Sequence, residues 1–274
     1  MLERSILITG CSSGIGLDAA RTLRDRGWRV FASCRKQADC DRLRGEGLEA
    51  PRIDYEDEAT LGPAVEAVLE ATGGTLDALF NNGAYAIPGL VEDLPVEALR
   101  ANFQANLFGW HALTRLVLPV LRAQGHGRIV QCSSVLGFVA MPWRGSYNAT
   151  KFALEGLTDT LRLEMAGSGI HVSLIEPGPI RTAFRRNARA QFERWIDWRA
   201  APRAADYEAT IARLGTDAPD RFELPASAVT AKLIHALESP RPRARYYVTT
   251  PTHAAGAMKR LLPTAMLDRM LSKR

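Results

Sequence analysis

The sequence predicts an α/β fold of the Rossmann type, in which helices cover a doubly wound parallel sheet. Short apolar runs, too brief for a helix, alternate with longer segments whose apolar residues recur at helical spacing. Such alternation indicates parallel strands joined by helical crossovers. The chain has 274 residues, 46% of them hydrophobic, which is enough to bury one sizeable core. We therefore expect a single domain over residues 1–274.

Net charge and apolar patterning exclude several classes of protein. There are 35 lysines and arginines and 30 aspartates and glutamates, giving a net charge of +5 without a long basic run. That balance does not suggest a nucleic-acid partner, although it suits an anionic cofactor. No apolar stretch approaches the roughly 18 residues of a membrane span, and the N-terminus shows no signal-peptide pattern. We expect a soluble, cytoplasmic protein.

The four cysteines indicate neither a metal site nor a disulfide framework. They show no C-x-x-C spacing, and no histidine pair lies near them in the sequence. We expect reduced thiols and no bound metal. The four are Cys11, Cys34, Cys40 and Cys132.

The first predicted strand, residues 5–9, leads into a glycine-rich turn and then a helix. Gly10 allows a tight turn, Gly14 lets the backbone approach a pyrophosphate, and Gly16 lets the helix pack on the strand. The N-terminus of that helix would face the anion. This order predicts a dinucleotide-binding turn, although a glycine triplet also occurs in ordinary strand-to-helix turns.

The second predicted strand, residues 29–33, ends where a dinucleotide fold meets the adenosine ribose. An acidic residue there would bind the 2′-hydroxyl of NAD. This sequence instead has Cys34 followed by Arg35 and Lys36, two cations that suit a 2′-phosphate. We expect NADP(H) to be preferred over NAD(H), with a solvated turn as the alternative interpretation.

The same alternation continues along the chain. Helices are expected over residues 59–69, from Pro95 to about Leu118 with a kink or an end at Pro119, and over residues 146–166. Five further strands are predicted at residues 50–53, 76–80, 128–133, 171–176 and 245–248.

Two segments of the C-terminal half lie outside this alternation. Residues 180–224 form an insertion after the sixth predicted strand and mix arginines with aromatic residues. An insertion there would cover a site at the carboxyl edge of the sheet. Residues 254–274 form a helical tail interrupted at Pro263, whose apolar residues should serve the core or a subunit contact rather than a membrane.

A tyrosine and a lysine four residues apart are the strongest candidates for a catalytic pair. In a helix, Tyr147 and Lys151 lie on one face, so the ammonium can sit beside the phenol. A neighbouring cation favours the phenolate and moves its pKa down from ~10 toward the working pH. Ser134, just beyond a strand end, could hold a substrate oxygen against the phenol. The spacing alone also fits an ordinary amphipathic helix.

Several motifs occur in an order and at spacings that resemble the short-chain dehydrogenase/reductase family. The match extends over nearly the whole chain through Thr182, and the run from Lys151 to Gly156 resembles the branch with hydroxysteroid and retinol dehydrogenases. The motifs are Thr9-Gly10-x-x-x-Gly14-Ile15-Gly16, Asn81-Asn82, Asn106, Ser134, Tyr147-x-x-x-Lys151 and Pro177-Gly178-x-x-x-Thr182.

The resemblance implies a Rossmann fold, hydride transfer with a nicotinamide cofactor and a homodimer or homotetramer. It implies that Tyr147 is the acid/base and that Lys151 lowers its pKa and holds the nicotinamide ribose. It also implies that Ser134 orients the substrate oxygen and that Asn106 anchors a water of a proton relay. The cofactor-binding residues expected from the residues and the resemblance together are Gly10, Ser12, Ser13, Gly14, Ile15, Gly16, Arg35, Lys36, Asp54, Tyr55, Asn82, Gly83, Ala84, Asn106, Tyr147, Lys151, Pro177, Gly178, Ile180 and Thr182.

One motif departs from the family pattern. The family's Asn-Asn-Ala-Gly occurs here as Asn81-Asn82-Gly83-Ala84. If the last position requires a positive φ, Ala84 carries backbone strain. The departure concerns the geometry of that turn and not the reaction.

The sequence thus predicts an NADP(H)-dependent oxidoreductase that interconverts an alcohol and its aldehyde or ketone. The substrate should be bulky or long-chain and apolar, because apolar side chains follow Ser134 and aromatic residues occur in the insertion. The residues expected to line the pocket after Ser134 are Leu136, Phe138, Val139, Met141 and Trp143.

The main alternative is a catalytically silent dinucleotide-binding sensor, which would not need Ser134, Tyr147 and Lys151 together. A nucleotide-sugar epimerase or dehydratase has another glycine spacing and an extra C-terminal domain. A serine hydrolase would use Gly10-x-Ser12-x-Gly14, but no HGGG-type oxyanion loop accompanies it. A P-loop NTPase would need the missing G-K-[ST].

Overall fold

Six short strands form one parallel sheet in the computed structural model, which describes residues 4–215 and 220–272. The strands are β1 (Ser5–Ile8), β2 (Arg29–Ala32), β3 (Ala78–Asn81), β4 (Gly127–Cys132), β5 (Ile170–Glu176) and β6 (Arg245–Tyr247). Their order across the sheet is β2-β1-β3-β4-β5-β6, and all neighbours are parallel. The order reverses between β1 and β3, as expected for a doubly wound sheet. The predicted fold class is confirmed.

The strand predicted at residues 50–53 does not form. That segment runs beside β2 and makes only isolated bridges, between Phe31 and Glu49 and between Cys34 and Arg52. Pro51 lies between the two bridges and has no N–H to give to a ladder. The described part of the chain therefore has six strands where the sequence predicts seven.

Helices connect the strands as the alternation predicts. Helix α1 packs against α9, α3 packs against α5, and α4 packs against α6. The α-helices are α1 (Gly14–Asp25), α2 (Gln37–Gly45), α3 (Leu61–Thr72), α4 (Val96–Phe103), α5 (Gly109–Gln124), α6 (Gly145–Glu164), α7 (Phe184–Trp195), α8 (Ala204–Leu214), α9 (Ser227–Glu238), α10 (Thr250–Leu261) and α11 (Thr264–Leu271).

The long helix predicted from Pro95 is interrupted where the sequence shows no breaker. A π-helical turn, Gln104–Phe108, separates α4 from α5. Pro119 lies inside α5, which continues to Gln124. The helix therefore does not end at Pro119. Such π-turns often occur at functional sites, because the extra residue redirects the side chains of that turn.

The C-terminal helices pack onto the segment that follows Ser134. Val139, Ala255 and Leu267 form one buried apolar cluster there. The tail is helical with a break at Pro263, as predicted. Residues 216–219 of the predicted insertion and residues 273–274 of the tail lie outside the described residues. None of the described helices has the length and apolar character needed to cross a membrane.

Candidate active site

The turns after β1 and β3 are tied together by one buried threonine. Thr9 Oγ1 accepts hydrogen bonds from the backbone N–H groups of Asn82, at 2.9 Å, and of Gly83, at 3.3 Å. The side-chain amide of Asn82 donates in return to the Thr9 carbonyl oxygen at 3.0 Å. Thr9 is 1% exposed. Its part in shaping the turn is missed by sequence reasoning; a polar residue closing an apolar strand is the signal that could have found it.

Three glycines of the first turn have no room for a side chain. A Cβ on Gly10, which has a φ of +70°, would lie 2.6 Å from Gly83 Cα, and one on Gly16 would lie 2.5 Å from the Gly10 carbonyl oxygen. A Cβ on Gly14 would lie 3.0 Å from Thr182 Cγ2. The turns after β1, β3 and β5 therefore meet at one edge, with bare backbone ahead of α1, which suits a pyrophosphate.

Ala84 does not have the positive φ that would strain its backbone. Among the described residues only Trp143 and Phe222 combine a side chain with a positive φ. The third position of this motif, Gly83, is the one that packs closely, because a Cβ there would lie 3.3 Å from the Cα of Gly10. The exchange of the last two residues is thus accommodated without a strained alanine.

The two cations after β2 are exposed, whereas Cys34 is buried. Arg35 and Lys36 are exposed, and within the described ranges no ion pair engages either side chain. Cys34 is only 1% exposed, and burial followed by the nearby Cys40 raises its thiol pKa to about 12. A thiol turned into the protein offers a ribose no hydrogen bond, whereas the two cations remain available to a phosphate.

Tyr55 lies in the core rather than on the surface of the cleft. Its hydroxyl hydrogen-bonds Thr9 Oγ1 and Asn81 Oδ1, both at 2.8 Å, and its carbonyl oxygen accepts from Gln104 Nε2 at 2.9 Å. Burial raises the pKa of the phenol above its ordinary value. The ring is thus committed to packing, so the adenine contact expected of Tyr55, which would have to use its backbone, stays a prediction. Asp54 is partly exposed beside it.

Ser134 and Tyr147 face each other beyond the carboxyl end of β4. The Ser134 hydroxyl accepts from the N–H of Leu136 at 3.1 Å and donates to the Pro177 carbonyl oxygen at 3.5 Å, and it lies near enough to the Tyr147 phenol to influence its pKa. Tyr147 is 8% exposed, and this burial raises its pKa above the ordinary value, with Ser134 opposing the shift. The predicted lowering of the tyrosine pKa is therefore reversed in this structure. The phenol is protonated at neutral pH.

Lys151 is buried one helical turn after Tyr147. Its ammonium donates to the Cys132 carbonyl oxygen at 2.8 Å and lies 4.2 Å from the centroid of the Trp110 ring. It lies 5.6 Å from the Tyr147 ring centroid. Burial lowers the pKa of Lys151 to about 8. Trp110, four residues beyond Asn106 and so on the same helical face, covers the lysine, a contact that sequence reasoning missed.

Asn106 sits in the π-turn with both amide atoms engaged. Its Oδ1 accepts from the N–H of Tyr85 at 3.1 Å, and its Nδ2 donates to the Tyr85 carbonyl at 2.8 Å and to Thr150 Oγ1 at 3.2 Å. The side chain therefore ties the segment after β3 to α6, the helix of Tyr147. The water-anchoring role implied for Asn106 stays a prediction.

The insertion contacts the tyrosine. Phe184, the first residue of α7, packs edge-on against Tyr147 with ring centroids 5.4 Å apart, and Ala188 joins Tyr147 and Ala86 in one buried cluster. Leu136 packs against the same cluster. Apolar side chains from three separate segments of the chain thus pack around Tyr147, in addition to Ser134 and Lys151.

Three of the residues expected to line the pocket pack elsewhere. Phe138 stacks on Tyr247 at 5.4 Å, and Val139 lies beneath α10 and α11. Trp143 packs edge-on against Tyr207, with ring centroids 4.9 Å apart. The segment after Ser134 begins with a 3₁₀ turn, Val135–Gly137, and its residues Val135, Phe138 and Val139 pack against the C-terminal helices. Of the predicted set, Leu136 packs beside Tyr147.

The loop after β5 closes the site opposite the glycine turn. The Pro177 carbonyl accepts from the N–H of Val135 at 2.8 Å, and Gly178 abuts Thr249 and Thr252. Ile180 makes an isolated bridge with Leu224. The predicted residues of this loop therefore lie at the same edge as Ser134. Within the part of the chain that is described, no cluster of histidine, cysteine or carboxylate side chains has the makings of a metal site.

Comparisons with known proteins agree with this geometry. The family described as "short chain dehydrogenase" matches residues 4–193. The Escherichia coli K12 protein "Uncharacterized oxidoreductase YbbO" is 39% identical over 271 residues, covering 99% of this chain and 95% of its own. The "NADPH-dependent 3-dehydrocapnine reductase" of Ornithobacterium rhinotracheale is 31% identical, covering 98% and 96%. Human "17-beta-hydroxysteroid dehydrogenase type 1" is 31% identical, covering 91% and 78%.

A solved structure shows the same fold over the whole chain. The short-chain dehydrogenase/reductase of Burkholderia phymatum in complex with NAD superimposes with a TM-score of 0.77 at 25% identity. It covers 99% of this chain and 96% of that protein. The similarity therefore includes the segments beyond residue 193.

Proposed function

The chain belongs to the short-chain dehydrogenase family, and from that premise we propose that it is an NADP(H)-dependent oxidoreductase acting on alcohols and their carbonyl compounds. The observation that carries the proposal is that Ser134, Tyr147 and Lys151 are buried together beyond the end of β4, with the Lys151 ammonium bound to the Cys132 carbonyl at 2.8 Å. Two hydroxyls converging at the carboxyl edge of a parallel sheet can hold one carbonyl oxygen between them. We propose Tyr147 as the acid/base.

The proton chemistry follows from the state of the three side chains. In the reducing direction, Tyr147 donates its proton to the carbonyl oxygen, while Ser134 donates a hydrogen bond to the same oxygen. The Lys151 ammonium stabilises the phenolate that remains, because it is positive below its pKa of about 8. The oxidising direction reverses these transfers. The nicotinamide, when bound, supplies or accepts the hydride.

The bare backbone ahead of α1 supports binding of a dinucleotide. Gly10, Gly14 and Gly16 would let the backbone of the turn approach the pyrophosphate, and a side chain at Gly10 or Gly16 would clash with neighbouring backbone and distort that turn. Exposed Arg35 and Lys36 support a preference for NADP(H). One relative is described as NADPH-dependent and one similar structure holds NAD, so relatives use both.

An apolar substrate is supported by the surroundings of Tyr147. Leu136, Phe184 and Ala188 pack near the phenol and bring no charge to it. We propose that residues 180–224 cover a bulky or long-chain carbonyl compound, because the first helix of that segment already contacts Tyr147. The cofactor-binding and catalytic residues then belong to one domain.

We also propose a homodimer or homotetramer in the cytoplasm. Exposed apolar residues on α5 and α6, among them Leu116, Phe152 and Leu163, support self-association. Light scattering coupled to size exclusion tests this, and a monomeric mass at micromolar concentration would contradict it. Four buried free cysteines support a reducing compartment.

The alternative is a silent dinucleotide-binding sensor on the same fold. Burying Lys151 and Tyr147 together costs solvation free energy that a sensor has no need to spend. The experiment is NADPH oxidation against a panel of aldehydes, ketones, quinones and steroids, with NADH in parallel. We expect turnover of at least one carbonyl class. No turnover of any carbonyl, with NADPH still bound, would support the sensor.

A further inference from the structure

A cluster of carboxylates and one arginine lies directly behind the proposed catalytic residues. Glu155 is one turn after Lys151 on α6, and Glu176 is the last residue of β5, just before Pro177. Arg245 Nε donates to Glu176 Oε1 at 3.1 Å, and its Nη2 donates to Glu155 Oε2 at 2.9 Å. Arg245 also binds Asp159 through two hydrogen bonds of 2.9 and 2.7 Å.

Two of the three carboxylates in this cluster are buried, and the third is partly exposed to solvent. The side chain of Glu176 is 0% exposed and that of Glu155 is 8% exposed. Asp159 is 34% exposed and has a second partner in Arg162, at 3.3 Å. Glu155 and Glu176 thus share a single guanidinium in the interior. Two ionised carboxylates at such a site repel each other strongly, so one of them takes up a proton.

The carboxyl oxygens without a hydrogen-bond partner indicate where that proton lies. Glu155 Oε1 and Glu176 Oε2 are both buried and, among the described atoms, have no established hydrogen-bond donor. Each carboxyl uses its other oxygen for Arg245. The hydroxyl of Ser133, which is also buried without an established partner, lies on the same side of Gly137 as Glu155 Oε1 and can donate to it. Glu176 Oε2 has no such hydroxyl among the described residues and is costly to leave unpaired in the interior. The two carboxyl groups are neighbours, because they bind Nε and Nη2 of the same guanidinium at 3.1 and 2.9 Å. One proton between them satisfies both free oxygens.

The pair also touches the segment that carries Ser134. A Cβ on Gly137 would lie 2.6 Å from Ser133 Oγ and 3.0 Å from Glu155 Oε1. The 3₁₀ turn Val135–Gly137 therefore rests on the Glu155 carboxyl. From the other side, Glu176 leads into Pro177, whose carbonyl is hydrogen-bonded by Val135. The two carboxyls lie where the segments after β4 and β5 meet.

We propose that Glu155 and Glu176 share one proton and, as a neutralised pair, position the Ser134 segment for the proposed reaction. They are positioning residues, since neither touches the reacting atoms. This inference rests on the proposed function for its kinetic consequence only. Burial, followed by the neighbouring Glu155, raises the pKa of Glu176 to about 9, which agrees with a proton retained at neutral pH. Burial also raises the pKa of Glu155.

Every charged or titratable group facing the pair enters its pH dependence. Helix α6 contributes Lys151 and Asp159, and β6 contributes Arg245 and Tyr247. Of these, Arg245 and Lys151 favour the ionised pair, whereas Asp159 and the low exposure oppose it. The balance at neutral pH is one proton on the pair.

The first test measures stability against pH and needs no activity. The folded-state pKa of Glu176 is raised, so its contribution to stability is full below its unfolded pKa, about 4.5, and is lost as pH rises toward 9. Glu176→Gln is neutral in both states and escapes that loss. The Tm of Glu176→Gln relative to wild type should therefore rise steadily between about pH 5 and about pH 9.

Asp159→Asn is the matched control from the same cluster. The Arg245 hydrogen bond lowers the pKa of Asp159, so its contribution is present throughout this pH range. Its Tm should lie below wild type throughout this range, without the steady rise expected of Glu176→Gln. A Glu176→Gln difference that is equally flat with pH would overturn the shared proton. If this variant fails to fold, the infrared spectrum of wild type at neutral pH decides, because a protonated carboxyl band is required.

The second test addresses positioning. Glu155→Leu should lower kcat for carbonyl reduction by about 10–100-fold through misplacement of Ser134, while the Kd for NADPH changes little. Glu155→Gln keeps a hydrogen-bonding group and should recover most of the activity. Unchanged kcat in Glu155→Leu would overturn the positioning role. If wild type reduces no carbonyl, the proposed function fails, whereas the stability and infrared measurements still test the shared proton.

Discussion

The ammonium of Lys151 donates a 2.8 Å hydrogen bond to the carbonyl oxygen of Cys132, the last residue of β4. This bond ties the helix of Tyr147 to the strand end that leads into Ser134. The lysine is 1% exposed and lies against the Trp110 ring. The relative position of the two proposed hydroxyl groups therefore depends on a buried lysine as well as on the backbone.

Lys151→Met should damage both turnover and cofactor binding. The change removes the cation beside Tyr147 and the bond to Cys132, so we expect kcat to fall by ~10²–10⁴-fold. The NADPH dissociation constant should rise as well, measured by nucleotide fluorescence. Lys259→Met, at an exposed position of α10, is the control and should behave as wild type. An unchanged dissociation constant would contradict a role of Lys151 in holding the cofactor.

Turnover should decline as pH rises through about 8. Burial lowers the pKa of Lys151 to about 8, so the ammonium is present below this pH and is lost above it. Tyr147 has a raised pKa and stays protonated over the same range. A profile of kcat for carbonyl reduction between about pH 6 and about pH 10 checks this. Constant kcat across that range would show that the charge of Lys151 does not matter.

Arg35→Ala should weaken the preference for NADPH. The guanidinium is exposed at the end of β2 and can bind a 2′-phosphate through two hydrogen bonds. Bonds to charged groups contribute about 1.5–3 kcal/mol each, so the ratio of kcat/KM for NADPH to NADH should drop by about 10–100-fold. Cys34 is left unchanged, because an aspartate there would be buried. Wild type that uses both cofactors equally would contradict the preference.

Phe184→Ala should affect the substrate more than the cofactor. The ring packs against Tyr147 from the start of α7, so its loss opens the apolar wall beside the phenol. Across a homologous aldehyde series, wild-type kcat/KM should rise with alkyl length, and the variant should flatten that rise. Phe222→Ala, an exposed ring elsewhere in the insertion, is the control. A wild-type series without dependence on length would contradict the apolar pocket.

Local sequence patterns predict the strands inside the sheet better than they predict where the sheet ends. Apolar runs such as β1 and β5 lie wholly or largely in the interior, so composition alone marks them. The segment at residues 50–53 has only Ala50 and Ile53 as apolar residues besides Pro51, and it lies on the outside of β2, where Pro51 removes a donor. Whether a run pairs fully depends on its neighbours in space.

The spacing of the proposed site residues can be predicted where a motif fixes it, whereas their protonation states depend on burial that the sequence does not show. The glycine turn and the positions of Ser134, Tyr147 and Lys151 follow from spacing. The pKa of Tyr147 does not, because burial outweighs the nearby cation, and Phe184 and Ala188 pack on the ring from a distant segment. Similarly, no local signal marks Tyr55 as a core residue or places Glu155 beside Glu176.

The most direct test of the central claim is the rate of NADPH oxidation by Tyr147→Phe with the best carbonyl substrate found for wild type. The variant lacks only the transferable proton, so we expect a loss of ~10²–10⁴-fold with NADPH binding nearly intact. Tyr246→Phe, another buried tyrosine, lies in β6 and should retain activity. Most of the wild-type rate surviving in Tyr147→Phe would show that Tyr147 is not the acid/base.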